Sequence, residues 1–252
     1  MLTIEYLPII FFIIALFYSS VGFGGGSSYL AIMSLFLTDF YEIRSTALIL
    51  NICVVSIGTF IFIKNKVFDL KLFWPFLVSS IPLAYLGAQL RLSQQVFFLI
   101  LGASLILSGM AMMLRYIQAN LESKEFSLIK KLTLGGSVGL LAGISGIGGG
   151  IFLSPTLNLL KWSNPRIVAS LASVFILVNS ISGLAGLTIA GTFQLDSDLL
   201  WKLILAVVLG GGIGSYLSSK KFNMRILGGL TAILVIYVGL RLVLMHGFDI
   251  AI

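Results

Sequence analysis

Apolar segments run through this chain from end to end, at roughly 6–37, 43–63, 72–90, 95–114, 132–160, 167–190, 199–218 and 226–245. Only short charged stretches separate them. The chain is 58% hydrophobic and 10% charged, whereas a soluble domain carries about 25% charged residues. No soluble fold covers that much apolar surface, so the sequence reads as an all-α polytopic membrane protein. The first segment has no Lys or Arg before it, as a secretory signal would, and is read as part of the mature fold.

Two of the eight segments carry an oddity. SVGFGGGSSYL (20–30) and SGIGGGIFLSP (145–155) put runs of glycine inside apolar sequence. Glycine in a helix interior costs about 1 kcal/mol relative to alanine. The blocks lie 124 positions apart (Gly26 to Gly150), close to half the 252-residue chain. Other matches follow in order: Trp74 with Trp201, Gly87 with Gly214, Leu101-Gly102 with Leu227-Gly228, and Arg115 with Arg241. Collinear matches point to an internal duplication, with one repeat over 4–116, a second over 132–245, and a cytoplasmic linker over 117–131.

Orientation follows from the 16 basic residues. Eight plain transmembrane helices split them 9 to 7, almost no bias. The alternative makes each glycine segment a re-entrant hairpin, leaving three spanning helices per repeat and inverting the repeats. Lys64, Lys66, Lys71, Arg115, Lys124, Lys130, Lys131, Lys161, Arg166, Lys220, Lys221 and Arg225 then share one face. Arg44, Arg91, Lys202 and Arg241 take the other. A 12 to 4 split obeys the positive-inside rule, with loops 64–71, 115–131, 161–166 and 220–225 cytoplasmic. Residues 132–142 and 151–160 each suit half a bilayer at about 1.5 Å per residue. The +7 net charge is accounted for by these loops and needs no nucleic acid.

A glycine run can turn the chain in mid-membrane, where positive φ is needed. Past each turn a half-helix is expected, starting near Ser27 and near Ile151. Its first amides lack intrahelical partners and carry the positive end of the helix dipole. Inverted repeats would bring two such ends together near the midplane, an anion site made from backbone. The expected site comprises Gly24, Gly25, Gly26, Ser27, Ser28, Ser145, Gly146, Gly148, Gly149 and Gly150, with Asn51 and Asn179 from neighbouring spans. Ser45, Thr46, Ser170, Ser173 and Ser180 supply further neutral donors. The competing explanation is that the glycines only allow close helix packing.

None of the nine acidic residues falls at the centre of a span. That argues against a carboxylate proton relay and against a cation site; proton coupling, if present, would ride on the substrate's own proton. One cysteine, Cys53, excludes a disulfide within the chain and a cysteine metal cluster. No cofactor is called for.

The G-x-GGG blocks, FILVNSISGLAG (175–186) and the length together resemble the sulfite exporter TauE/SafE family over nearly the whole chain. The resemblance implies a bacterial inner-membrane transporter of sulfite, sulfonates or related organosulfur anions. In the first repeat NICVVSIGTF (51–60) only loosely echoes FILVNS, which puts Asn51 in doubt as the counterpart of Asn179. A passive anion or metabolite channel shares this architecture and remains the alternative; saturable flux with trans-stimulation separates the two. A membrane insertion factor would show a polar groove or soluble arm, and neither is visible. Gly143-Ile144-Ser145-Gly146 fits the G-x-S-G pattern of intramembrane serine proteases. The sole histidine, His246, lies at the far end of the last segment, out of reach as a base, so no enzyme is expected.

Overall fold

The structure, a computed structural model, describes residues 4–20, 22–37, 39–90, 92–117, 125–219 and 224–248. Arg91, linker residues 118–124, and Lys220 and Lys221 of the last expected cytoplasmic loop lie outside the described residues.

After a short 3-10 turn the described residues form only helices: α1 (Leu7–Ser20), α2 (Gly26–Met33), α3 (Phe40–Lys64), α4 (Leu70–Gln89), α5 (Gln94–Ile117), α6 (Leu128–Ser145), α7 (Gly150–Leu159), α8 (Pro165–Ile189), α9 (Ser197–Ser219) and α10 (Met224–Gly247). Six of them, α3, α4, α5, α6, α8 and α9, are long and apolar enough among the described residues to cross a membrane.

Several starts are written into the sequence as side-chain caps, which satisfy amides that the first turn leaves orphaned. Asp39 accepts from the amides of Tyr41 and Glu42 at 2.8 and 3.1 Å. Asp69 does the same for Lys71 and Leu72 at 2.9 and 3.3 Å. Asn164 caps α8 ahead of Pro165, and Asp196 accepts from Asp198 N at 2.9 Å. Three of the acids that sequence places outside span centres are therefore helix caps.

One length differs from expectation. The first arm of the second glycine segment was expected over 132–142, half a bilayer. Helix α6 has 18 residues, about 27 Å at 1.5 Å each. Ser127 starts it four residues earlier, and Lys130 and Lys131 belong to the helix rather than to the loop before it. Lys130 is accommodated by lying 4.0 Å over the Phe126 ring. The length of α6 is enough to cross a membrane.

Helix α4 packs along α6, α1 along α9, and α5 along α10. Helix α8 is the most enclosed of the six candidate spans and packs against α3 and α4; α3 also meets α9. Small residues make these approaches close. A Cβ at Gly135, Gly139 or Gly143 would run into α4 backbone at Phe76, Ser80 and Ala84 in turn. Gly87 lies against the Leu140 carbonyl of α6, and Gly214 against the Leu16 carbonyl of α1. Close packing is thus a real use of glycine in the long helices.

Candidate functional site

The glycine blocks have a different geometry. Gly25 (φ 90, ψ −2) and Gly149 (φ 83, ψ −11) are left-handed and stand as N-caps of α2 and α7. Gly22, Gly146 and Gly148 are also at positive φ. An L side chain in that conformation costs roughly 1–2 kcal/mol, so the blocks turn the chain as well as pack closely, as Gly24, Gly26, Gly148 and Gly150 do against α3 and α8.

Each turn is followed by a short helix, α2 of 8 residues and α7 of 10, about 12 and 15 Å long. They start one residue before the Ser27 and Ile151 expected. The contacts put α2 on α3 and α7 on α8. A Cβ at Gly26 would sit 2.8 Å from Asn51 Cγ, at the middle of α3. A Cβ at Gly148 would sit 2.7 Å from both Ile176 Cγ2 and Ser180 Oγ, at the middle of α8. Both short helices therefore begin beside the midpoint of a long helix.

This geometry corrects a pairing. The residue of α8 that faces the start of α7 as Asn51 faces the start of α2 is Ile176, not Asn179. Asn179 lies one turn further along. The two starts also differ in their amides. Gly26 N donates to Asn51 Oδ1 at 2.9 Å, so α2 is capped from another helix. Among the described residues no side chain reaches the first amides of α7, and its N-cap Gly149 has none to offer.

The expected polar residues are all buried, and they divide by partner. Ser28 Oγ lies 2.6 Å from the Tyr18 hydroxyl, and Ser27 Oγ donates to that hydroxyl at 3.5 Å. Ser145 Oγ donates to Leu141 O within its own helix at 2.6 Å. Ser173 donates to Val55 O at 3.2 Å and lies 3.0 Å from Thr59 Oγ1, tying α8 to α3. Ser45 Oγ accepts from Gln194 N at 3.3 Å. By contrast Asn51 Nδ2, both amide atoms of Asn179, and the hydroxyls of Ser170 and Ser180 are enclosed without a protein partner. Buried polar groups without partners are rare and costly, about 1–3 kcal/mol each. These atoms can serve a ligand or water.

A cavity of about 230 Å³ between α1, α2 and α10 reaches Ser28 but is otherwise lined mainly by apolar residues such as Ile10, Ile14 and Ile32, with Arg241 among them. Ser28 is the one expected site residue on its lining. Two further residues were not anticipated. Tyr18 gathers Ser27 and Ser28, and Arg44, expected in an outer loop region, is only 2% exposed. Arg44 Nη2 donates to the carbonyls of Gly143 and Ile144 at 3.0 and 3.3 Å.

Fold and site together define an α-helical, multi-pass membrane protein with two glycine turns, each starting a short helix in the protein interior. The chain belongs to the family described as sulfite exporter TauE/SafE, which matches residues 7–242. It is similar to the "Probable membrane transporter protein y4hK" of Sinorhizobium fredii, 33% identical over 240 residues, covering 94% of this chain and 96% of that one. It is also similar to a "Probable membrane transporter protein" of Haemophilus influenzae, 25% identical over 226 residues, 84% and 82% of the two chains. The "Probable membrane transporter protein YunE" of Bacillus subtilis is 23% identical over 221 residues, 79% of each. No solved structure matches.

Proposed function

We propose that the protein is a secondary transporter that moves a small anion (sulfite, a sulfonate or a related organosulfur anion) across the bacterial cytoplasmic membrane, binding it where α2 and α7 begin. The family and its transporter relatives support transport. The observation that carries the anion is the pair of half-helix starts with left-handed glycine caps, beside enclosed Asn and Ser atoms that lack partners. Aligned amides at a helix start favour negative charge by up to about 2 kcal/mol in a partly buried setting. An oxyanion offers several acceptors to Asn51 Nδ2, Asn179 and Ser180.

The same reading takes the chain as two inverted repeats, 4–116 and 132–245, joined by 117–131. The pattern of contacts supports it. Exchanging α1 to α5 for α6 to α10 turns the α4–α6 contact into α9–α1, α4–α8 into α9–α3, and α5–α7 into α10–α2, and each of these is present. Gly87 and Gly214, matched in sequence, do equivalent work against Leu140 and Leu16. In this arrangement α1–α2 and α6–α7 enter from opposite faces and turn back at the glycines, the first turn of α6 with Lys130 and Lys131 standing at the interface, and 64–71, the connection from α5 to α6, 161–166 and 220–225 face the cytoplasm.

Uptake of labelled sulfite and a small sulfonate into proteoliposomes, beside chloride and with and without a pH gradient, tests the proposal. Saturable uptake with trans-stimulation is expected. Linear flux would make the protein a channel, and no flux of any sulfur anion would remove the substrate assignment.

A further inference from the structure

The two glycine turns are built alike but are not electrically alike. At the first, a Cβ on Gly22 would meet Ala169 Cβ at 2.9 Å; at the second, a Cβ on the corresponding Gly146 would lie 3.4 Å from Arg44 Nε. The first turn's leading amide is taken by Asn51, while that of the second meets no side chain. Two electropositive groups, a guanidinium and an uncapped helix start, therefore share the stretch from Gly146 to Gly150.

Arg44 is enclosed, and among the described residues no carboxylate pairs with it. Phe40 and Phe97 lie 5.6 and 5.4 Å from its guanidinium carbon, and one nitrogen serves the two carbonyls ending α6. Those carbonyls carry about half a negative charge. Nε has no partner. A buried cation left short of a counter-charge is costly and, in a membrane protein, marks a functional position.

We propose that Arg44 is the charge partner of the transported anion and that the second turn, not the first, is the principal binding half. This rests on the anion-transport reading above. With Nη2 held by the two carbonyls, the unpartnered Nε–H is a directed, charged donor suited to an oxygen of a sulfonate or sulfite. Asn51 Oδ1 already takes the leading amide of α2, which makes the first turn the weaker half.

The test uses the purified full-length protein in detergent. The midpoint of thermal unfolding is followed against methanesulfonate or sulfite, with chloride at equal ionic strength, for wild type, Arg44→Gln, Arg44→Lys and Asn51→Ala. Oxyanion-specific stabilisation of the wild type is expected. Its half-saturating concentration should rise at least tenfold in Arg44→Gln and by a clearly smaller factor in Asn51→Ala. Arg44→Lys keeps the charge but loses the directed Nε donor, so the preference for oxyanion over chloride should shrink. If Arg44→Gln melts lower with an unchanged half-saturating concentration, Arg44 merely caps α6 and the proposal fails while anion transport stands. Should Arg44→Gln not fold, an unaltered oxyanion preference in Arg44→Lys overturns it equally. Loss of the response in Asn51→Ala alone would move the site to the first turn. A wild type indifferent to every anion removes both this assignment and the function it rests on.

Discussion

Replacing Gly149 by alanine isolates what the turn glycines do. Gly149 is left-handed, at φ 83 and ψ −11, which costs an L residue roughly 1–2 kcal/mol. The new methyl would also sit 2.8 Å from Ala142 Cβ and 2.9 Å from Phe175 Cε1, both in packed helices. Overpacking of that kind costs roughly 1–3 kcal/mol, so the total is roughly 2–5 kcal/mol. Two controls separate the parts. Gly191 is left-handed (φ +68) with nothing within 4 Å, so Gly191→Ala carries the strain alone. Gly212 lies within α9, also with nothing within 4 Å and with φ outside the positive range. Gly212→Ala should be neutral or gain up to about 1 kcal/mol from helix propensity. Thermal denaturation in detergent should therefore rank Gly212→Ala at or above wild type, then Gly191→Ala, then Gly149→Ala. If Gly149→Ala matches Gly191→Ala, the close contacts carry no cost. If it matches wild type, the left-handed turn itself is refuted.

Valine at Gly25 or Gly149 should abolish anion flux while the protein still inserts, read by proteoliposome uptake beside a surface-accessibility assay; wild-type flux in both would count against the anion cradle. Asn51→Asp puts a carboxyl beside the Gly26 amide; burying its charge should lower the unfolding midpoint at neutral pH and repulsion should depress anion uptake several-fold, and unchanged uptake would separate this residue from the route. Gly139→Leu drives a side chain into α4 at Ser80 and should lower the unfolding midpoint by an amount worth about 3 kcal/mol or more, against little change for Gly229→Ala in α10, where nothing lies within 4 Å. Asp69→Ala should lose about 1 kcal/mol, the usual worth of an N-cap, with flux unaffected.

Much of the helical layout is legible in the sequence because it is local. The expected segment 43–63 became α3 at 40–64 and 167–190 became α8 at 165–189, since apolar runs and capping residues mark both ends. The starts of α2 and α7 were legible from glycine alone. The miss at α6 came from treating two lysines as a boundary when a long side chain can keep its charge at the surface from within a first turn. Asn179 matches Asn51 in residue type, yet position on a helix is set by spacing. Carrying Asn51 forward by the 124 positions between the blocks lands at residue 175, beside Ile176 and one turn short of Asn179. Arg44 could not be read correctly at all. Its partners are backbone carbonyls about a hundred residues away, and carbonyls leave no trace in residue identity. The Tyr18–Ser28 contact was closer to reach, but nothing in an apolar α1 distinguishes Tyr18 from a packing aromatic.

The most extensive helix pairings, α4 with α6, α1 with α9 and α5 with α10, all join the first five helices to the last five. During synthesis, α1, α4 and α5 therefore enter the bilayer well before the surfaces that will cover them exist. Gly87 waits for Leu140, and the Leu16 carbonyl waits for Gly214. Lipid must occupy those faces in the interim and be displaced as each later helix arrives. Assembly is thus completed late, one helix pairing after another, and a chain truncated after α5 would be left with its principal helix-pairing faces open to lipid and to other chains.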